Sequence, residues 1–353
     1  MSSLQAILAK GVEGRRISPD EALSLFDSAG LLELGLAADA VCRRLHPEPF
    51  RTYVVDRNIN YTNICVSKCR FCAFYRDGDS PEAYLLTDEE IHEKVAEAVE
   101  LGATQILMQG GLHPELDITY YERLLRGIKE RFAVHLHSLS PPEIVHIARA
   151  SGLSVEDAVC RLKAAGLDSI PGGGAEILTD PSRSSLSPRK CTSGEWFHVM
   201  QAAHQLGMPT TATMMFGHTE SVADRVEHLA KVRELQNRTG GFTAFIPWTF
   251  QPANTELGGR AVGGCEYLRT LAISRLFLDN FPNIQASWVT QGDKIGQVAL
   301  HFGANDLGST MIEENVVAAA GVTFRMDEDD LRRAIQDAGY IPRRRDTYYR
   351  PLE

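Results

Sequence analysis

Hydrophobic positions recur every three to four residues in the first part of the chain, a spacing that indicates amphipathic helices. Ser18, followed by Pro19 and two acidic residues, is typical of a helix N-terminus. A Leu- and Ala-rich stretch continues from there to Leu45, with a break near Gly30. Residues 1–50 are therefore predicted to form an N-terminal helical extension.

From residue 51 onwards the pattern changes to short apolar runs, each followed by a stretch with helical spacing. The runs of strand length cover residues 52–60, 104–108, 132–136, 167–170, 210–216, 242–246, 283–288 and 303–306. About eight such units imply an α/β fold and favour a closed (βα)8 TIM-type barrel over residues 51–325, with an open doubly wound sheet as the alternative. Residues 326–353 are predicted to form a C-terminal helix and a tail that pack on the barrel.

Composition and charge narrow the classes of function. The chain has 353 residues, 44% of them hydrophobic and 23% charged, which is typical of a globular protein. A net charge of −10 without a long basic block argues against nucleic-acid binding, and Arg343–Arg345 is predicted to be a solvated tail. The sequence has no secretory signal and no apolar run long enough for a membrane span, so a cytoplasmic location is expected. An odd number of cysteines, seven, argues against a disulfide framework.

Unusual residues follow the predicted strands. Ligands gather at the carboxyl ends of the strands in both of the candidate folds. The residues at these ends are the cysteines after the first strand, Gly110-Gly111, His137-Ser138, Gly172–Glu176, Gly217-His218 and Gln251. The sequence therefore predicts a functional site at this end of the fold.

Three of the cysteines, Cys65, Cys69 and Cys72, lie within eight residues with the spacing Cys-x3-Cys-x2-Cys. Three thiolates on one loop can ligate three corners of a cubane iron–sulfur cluster, whereas ordinary electron-carrying clusters take four cysteines. One iron would then keep an open position, where a substrate or cofactor binds. The other cysteines are scattered along the chain: Cys42, Cys160, Cys191 and Cys265.

Two alternatives have no open iron. A structural zinc site needs a fourth ligand nearby, and the nearest candidate, His92, falls on a predicted helix. Packing of the three thiols in the core is disfavoured because Lys68 and Arg70 lie between them. An iron–sulfur electron carrier or a zinc-binding module is the non-enzymatic alternative.

The cysteine motif, with Phe71 before its last cysteine, resembles that of the radical S-adenosylmethionine (SAM) superfamily. The resemblance implies that Cys65, Cys69 and Cys72 bind a 4Fe–4S cluster and that SAM chelates the fourth iron. One-electron reduction then cleaves SAM to a 5'-deoxyadenosyl radical, which abstracts hydrogen from the substrate. It also implies a barrel of the radical SAM kind and an electron donor such as flavodoxin or ferredoxin.

Longer strings resemble the subgroup of this family that acts in the futalosine route to menaquinone. They are DRNINYTNICVSKCRFCAFY, MQGGLHP, PGGGAEI, TMMFGHTE and FTAFIPWTFQP. Two more, ASWVTQG and GANDLGSTMIEEN, resemble the dehypoxanthine futalosine cyclases. This implies hydrogen abstraction from the ribose of dehypoxanthine futalosine, addition of the sugar radical to the benzoate ring, and loss of an electron and a proton. Aminofutalosine synthases and deazaflavin-ring synthases are the alternatives.

The resemblance also assigns roles at the strand ends. Gly110 and Gly111 would hydrogen-bond the SAM amino group, with a plain strand-to-helix turn as the alternative. Glu176 would hold the SAM ribose hydroxyls, with a charge at a helix N-terminus as the alternative, and Ser138 is a second ribose candidate. Arg183 would pair with the SAM carboxylate unless it is an ordinary surface arginine.

Histidines and aromatic residues near the strand ends have less specific roles. The histidines that invite acid–base roles are His113, His137 and His218, together with His135. None of them is singled out as the base for the final deprotonation, because a histidine at a strand end is often a hydrogen-bonded wall residue. The aromatic residues that would wall an aromatic substrate, or merely pack at the barrel rim, are Trp248, Phe250 and Trp288.

Overall fold

The computed structural model describes residues 3–352. The helices are α1 (Ser3–Val12), α2 (Pro19–Ser28), α3 (Leu31–Leu45), α4 (Asp88–Glu100), α5 (Ile118–Arg131), α6 (Pro141–Ala150), α7 (Val155–Ala165), α8 (Asp180–Leu186), α9 (Ser193–Gln205), α10 (Val222–Thr239), α11 (Gly264–Phe277), α12 (Trp288–Gln291), α13 (Asp293–Ala299), α14 (Val316–Ala319) and α15 (Glu328–Asp337). The strands are β1 (Phe50–Val54), β2 (Asp56–Ile59), β3 (Gln105–Met108), β4 (His135–Ser138), β5 (Thr210–Phe216), β6 (Phe242–Thr249), β7 (Asn283–Ile284), β8 (Asp306–Ser309) and β9 (Ile341–Arg344).

A closed parallel barrel forms the centre of the fold. β1 and β2 are the two halves of its first strand, interrupted at Val55. Parallel pairing joins β2 to β3, β3 to β4, β5 to β6, β6 to β7, and β8 to β1. Single parallel bridges close the remaining gaps, between His137 and Ser169, Ile170 and Thr210, and Gln285 and Asp306. Residues 169–170 therefore act as the fourth of eight barrel positions, and the predicted closed barrel is confirmed over the open sheet.

The N-terminal helices form as the sequence predicts and pack on the outside of the barrel. The Ser18 hydroxyl accepts a hydrogen bond from the Glu21 amide (3.2 Å), and the Glu21 carboxylate accepts one from the Ser18 amide (2.7 Å). This capping box satisfies two amides at the start of α2. α2 and α3 lie against α10 and α11. Because Gly35 has no side chain, α3 can approach the ring of Phe302 closely; a Cβ there would lie 2.7 Å from a ring carbon.

Several element boundaries differ from the sequence prediction. The last barrel strand, β8, begins at Asp306 and not at Gly303, because Gly303 adopts a left-handed turn with φ of 102°. The segment 167–170 makes only isolated bridges, since Pro171 follows it and has no amide to extend a ladder. Trp288 begins the short helix α12 and does not end a strand, and its indole N–H donates to the Ser309 carbonyl at 3.0 Å. Each difference follows from a turn or a tertiary contact.

The C-terminal residues pack against the end of the barrel opposite the cysteine loop. β9 pairs in parallel with β1, and the chain then turns under the barrel. Arg345 is buried (3% exposed), bonds both carboxylate oxygens of Asp306 at 2.6 and 3.0 Å, and lies 3.7 Å from the ring centroid of Tyr349. Thr347 donates to Gln105 at 2.6 Å. The prediction of a solvated tail at Arg343–Arg345 was therefore wrong, because a buried carboxylate of β8 binds Arg345.

Candidate active site

The three clustered cysteines lie on the loop that follows β2, at the carboxyl end of the barrel. Cys69 is buried, while Cys65 and Cys72 are half-buried. The Ser67 hydroxyl lies 3.2 Å from the sulfur of Cys69. Burial raises the pKa of the Cys69 thiol to about 11 and also raises that of Cys72. A thiolate here is therefore costly unless a bound metal replaces the hydration that it loses.

The surroundings of the cysteine loop suit a cluster more than a single ion. Within residues 3–352, no group of three or more His, Cys, Asp or Glu side chains is close enough together to hold one metal ion. A cubane presents a different iron to each cysteine, so its ligands need no common point. The backbone amides of Phe74 and Tyr75 donate to Cys72, as amides do to cluster-bound sulfur.

A buried ion pair lies beside the cysteine loop. Lys190 donates to Oε1 of Glu176 at 2.9 Å, and its ammonium lies 5.2 Å from the ring centroid of Phe71. Burial alone lowers the pKa of Lys190, but the charges of Glu176 and Cys69 outweigh it and raise this pKa above its ordinary value. Glu176 adopts a left-handed backbone with φ of 41°, a strained conformation typical of functional sites. Lys190 is therefore the cation that faces the thiols.

Arg183 braces the loops around this ion pair. Its guanidinium donates to the carbonyls of Gly174 (3.0 Å), Ala175 (2.7 Å) and Cys191 (2.6 and 3.2 Å). These contacts use four of its five N–H groups, Nη2 also lies 3.7 Å from the sulfur of Cys191, and the side chain is 4% exposed. Backbone carbonyls thus accept from most of the N–H groups of Arg183 that were predicted to bind the SAM carboxylate.

Gly110 and Gly111 follow β3 and pack directly against the base of the cysteine loop. A Cβ on Gly110 would lie 2.6 Å from a ring carbon of Tyr61, and one on Gly111 would lie 2.2 Å from the carbonyl oxygen of Ile64. The Gly110 amide donates to Glu143 at 2.9 Å, and the Gly111 amide donates to a backbone carbonyl before the loop. Each glycine therefore has only its carbonyl oxygen left to bind a ligand.

A cavity of about 260 Å³ fills the interior of the barrel. Trp248 and Trp288, from the sixth and seventh barrel positions, give it apolar surface, while the first three strands contribute polar side chains. Arg345, Thr347 and Tyr349 line it from the C-terminal segment. The third predicted wall residue, Phe250, lies outside the lining and packs on the ring of His218.

One of the four candidate histidines, His137, lines the cavity. Its Nδ1 is 2.6 Å from the Ser169 hydroxyl, and burial lowers its pKa to about 3, so the ring stays neutral and is a weak proton acceptor. The other three bond neighbouring groups. His135 bonds the same serine at 2.7 Å, Nδ1 of His113 accepts the Glu115 amide at 3.2 Å, and Nδ1 of His218 accepts the Thr219 amide at 2.7 Å.

Comparison with known proteins identifies the family. The profile of the Radical SAM superfamily matches residues 59–232, and that of the CofH/MqnC C-terminal region matches residues 239–353. The cyclic dehypoxanthine futalosine synthase of Halalkalibacterium halodurans is 48% identical over 98% of this chain and 94% of its own length. This chain belongs to the radical SAM superfamily, in its CofH/MqnC branch.

Two further proteins are similar to this radical SAM protein, one in sequence and one in fold. The 5-amino-6-(D-ribitylamino)uracil–L-tyrosine 4-hydroxyphenyl transferase of Methanothermobacter thermautotrophicus is 45% identical over 98% of this chain and 97% of its own length. The crystal structure of methylornithine synthase matches with a TM-score of 0.76 at 18% identity, over 95% of this chain and 97% of the other. The second comparison shows the shared barrel fold alone.

The residues of this radical SAM protein fit the cofactors that the superfamily implies, a 4Fe–4S cluster and SAM. The three thiols and the surrounding amide donors suit a cluster. Two buried side-chain oxygens near the strand ends, Oγ of Ser138 and Oε2 of Glu176, have no hydrogen-bond partner among residues 3–352, although Nη1 of Arg183 lies 3.6 Å from Oε2 of Glu176. A buried polar atom of this kind is costly unless a ligand satisfies it, and a ribose diol offers suitable hydroxyls.

Two residues that shape this radical SAM site could not be predicted from the sequence. Lys190 lies in the loop between α8 and α9, and no periodic pattern marks it. Glu143 accepts hydrogen bonds from the Tyr61 hydroxyl (2.8 Å), the Gly110 amide (2.9 Å) and the Ser140 amide (2.7 Å). It thereby ties three strand ends together, but from sequence it resembles an ordinary helix-capping glutamate.

Replacing Gly111 with alanine is expected to reduce cluster binding, because the new methyl group would push the carbonyl of Ile64 and the loop that carries Cys65. The iron and sulfide content of the reconstituted protein should fall by at least half. Gly263→Ala is the matched control, since a Cβ at Gly263 meets no atom of residues 3–352 within 4 Å and its φ is −81°. Full iron content in Gly111→Ala would contradict the role given to this glycine.

Proposed function

We propose that this protein is a radical SAM cyclase of menaquinone biosynthesis, which converts dehypoxanthine futalosine to cyclic dehypoxanthine futalosine. The observation that carries this proposal is the 48% identity, over nearly the whole of both chains, to a cyclic dehypoxanthine futalosine synthase. The cavity beneath the cysteine loop supports it, because an intramolecular cyclisation needs one enclosed site for a single substrate.

In this proposal the strand ends hold the cofactors. Cys65, Cys69 and Cys72 would ligate the cluster, and the ring of Phe71, which precedes Cys72, carries Lys190 on its face. When bound, the reduced cluster and SAM supply a carbon-centred deoxyadenosyl radical that takes a hydrogen atom from the substrate. Oε2 of Glu176 would accept a hydrogen bond from a hydroxyl of the SAM ribose, and the Ser138 hydroxyl would donate or accept one.

The glycine carbonyls and Lys190 would orient the methionine end of SAM. The carbonyls of Gly110 and Gly111 can accept from its amino group, since their amides are already bonded within the protein. Lys190 offers a positive charge for its carboxylate, while Arg183 holds the loop that carries Glu176.

The cavity would keep the substrate folded and exclude water. Trp248 and Trp288 offer flat apolar surfaces for the benzoate ring, and Asn58 and Gln109 offer hydrogen bonds for the sugar hydroxyls. A carbon radical attacks almost any C–H bond within reach, so the ribose and the ring must be held close to each other. Arg345, Thr347 and Tyr349, which line the cavity from the C-terminal segment, would keep water from entering beneath the substrate.

Product analysis tests the proposal. The protein is reconstituted anaerobically with iron and sulfide, reduced, and mixed with SAM and dehypoxanthine futalosine, with a mixture without SAM as the control. Mass spectrometry should detect 5'-deoxyadenosine together with a product two hydrogens lighter than the substrate. Deoxyadenosine without that product would contradict the cyclase, and its absence from a fully loaded protein would contradict the radical SAM activity.

The second candidate activity is that of the 4-hydroxyphenyl transferase, because this relative is 45% identical over nearly the whole of both chains. The same assay tests it. Such a transferase joins two substrates, and so does an aminofutalosine synthase, whereas the cyclase uses one. Incubation with tyrosine and 5-amino-6-(D-ribitylamino)uracil in place of dehypoxanthine futalosine distinguishes the transferase from the cyclase. A coupled product from this pair would favour the transferase.

The proposal includes a cytoplasmic location and a small electron-transfer protein, flavodoxin or ferredoxin, as the reductant. All seven cysteines are free, in keeping with a reducing compartment. Within residues 3–352, no helix has both the length and the apolar character needed to cross a membrane. The acidic net charge of −10 supports a small-molecule substrate over a nucleic acid.

A further inference from the structure

Glu314 is a buried carboxylate in the wall of the barrel cavity, on the loop that follows β8. Its Oε1 accepts hydrogen bonds from the amides of Val316 (2.7 Å) and Val317 (3.1 Å), and its Oε2 accepts one from Nδ2 of Asn58 (2.9 Å). The side chain is 6% exposed and lines the cavity. Three donors thus fix the carboxylate, and a carboxylate oxygen that accepts one hydrogen bond keeps a second lone pair.

The other ionisable side chains of the cavity lining are less suited to accept a proton. Burial raises the pKa of Asp56 as well, but Asp56 lies lower in the barrel, near Arg345, where its two oxygens accept from Gln105 and Ser309. Burial lowers the pKa of His137 to about 3, which makes it a weak base. Arg345 is a paired cation and Tyr349, whose pKa is raised by burial, is a neutral phenol.

The position of Glu314 in the barrel favours it for geometric reasons. Asn58, which binds its Oε2, is near the carboxyl end of β2 and seven residues before Cys65, so Glu314 lies towards the end of the barrel where the radical forms. Burial raises the pKa of Glu314 above the ordinary value, and the bonds from Asn58 and the two amides only partly offset this. A carboxylate with raised proton affinity is a better general base.

We propose that Glu314 is the catalytic residue that accepts the ring proton in the final step of the cyclisation. This inference rests on the proposed function. After the ribose radical has bonded to the benzoate ring, the C–H bond at the attacked ring carbon breaks. Its proton goes to Oε2 of Glu314, its electron pair re-enters the ring, and one electron leaves to an iron–sulfur one-electron acceptor. The ring is then aromatic again, and no other atom is gained or lost.

The test compares Glu314→Gln with the same change at the neighbouring residue, Glu313→Gln. Glu313 binds Arg57 (2.7 Å) and Lys94 (2.8 Å), and it is not part of the cavity lining. Each variant is loaded with iron and sulfide, reduced, and mixed with SAM and dehypoxanthine futalosine. The measured quantities are deoxyadenosine, cyclic product and the electron paramagnetic resonance spectrum of freeze-quenched samples.

We expect Glu314→Gln to release deoxyadenosine while its yield of cyclic product per deoxyadenosine falls by about 100-fold or more, the usual contribution of a general base. A substrate-derived radical should accumulate in its spectrum. Glu313→Gln should keep the wild-type yield. Glu314→Asp retains a carboxylate and should recover at least part of the yield that glutamine loses, which also shows that the site still folds.

Three results would overturn the inference. A wild-type yield in Glu314→Gln would mean that water or another group takes the proton. An equal fall of deoxyadenosine and product would mean that Glu314 shapes the substrate site and does not act as a base. Deoxyadenosine without cyclic product in the wild-type protein would instead reject the cyclase itself, and this inference with it.

Discussion

Cys69→Ala is expected to abolish deoxyadenosine formation, because two thiolates cannot hold a cubane that needs three protein ligands. Iron and sulfide content should fall to the background level, and the brown colour of the reconstituted protein should be lost. Cys65→Ala and Cys72→Ala should behave alike. The assay is anaerobic reconstitution followed by metal analysis and detection of deoxyadenosine by mass spectrometry.

Cys265→Ala is the matched control for this loss, since Cys265 is exposed and far along the chain from the cysteine loop. It should retain both iron and activity. The far-ultraviolet circular dichroism of Cys69→Ala should match that of the wild type, because the loop lies outside the barrel strands. A Cys69→Ala protein that still binds a full cluster and cleaves SAM would contradict the ligand assignment.

Asp306→Asn is expected to lower the free energy of unfolding by about 3–5 kcal/mol, the usual cost of breaking a buried ion pair from one side. Asp306 is fully buried and Arg345 is 3% exposed, so the change leaves a guanidinium without its counter-charge inside the barrel. Asparagine also places an N–H₂ group against the cation. Denaturant unfolding of the cluster-free protein measures the change.

The exposed pair of Asp330 and Arg333 provides the control for this prediction. Its side chains are 37% and 68% exposed, and an exposed pair contributes about 1 kcal/mol or less. Asp330→Asn should therefore leave the unfolding midpoint almost unchanged. If Asp306→Asn were equally harmless, the ion pair would contribute little to holding the C-terminal segment beneath the barrel.

The sequence predicts the barrel well because its signal repeats along the chain. Eight apolar runs alternate with helical stretches, and each reports local geometry. The predicted ends of strands are wrong where a tertiary contact or a turn determines the backbone conformation. Trp288 leaves the strand conformation to bond the Ser309 carbonyl, and Gly303 turns before β8 begins. The three-part division at residues 50 and 325 remains a proposal.

The residues of the candidate site also differ in whether the sequence alone could identify them. The three cysteines could be found from sequence because all ligands of one cluster lie on one short loop. Lys190 could not, since it meets Glu176 only after the loop between α8 and α9 has folded over the thiols. Arg345 follows two other arginines and resembles a solvated tail until Asp306, 39 residues earlier, is known to be buried beside it.

The pairing of β1 on both sides has a consequence for the assembly of the protein. Thr52 pairs with Asp306 of β8 on one side and with Arg343 of β9 on the other. The first strand is therefore fully paired only after the C-terminal residues have been synthesised and have folded against it. Contacts between such distant residues form late in folding, because a long loop must be closed first. A nascent chain that stops before residue 341 would leave one edge of β1 unpaired, and an open strand edge readily recruits another chain and begins aggregation.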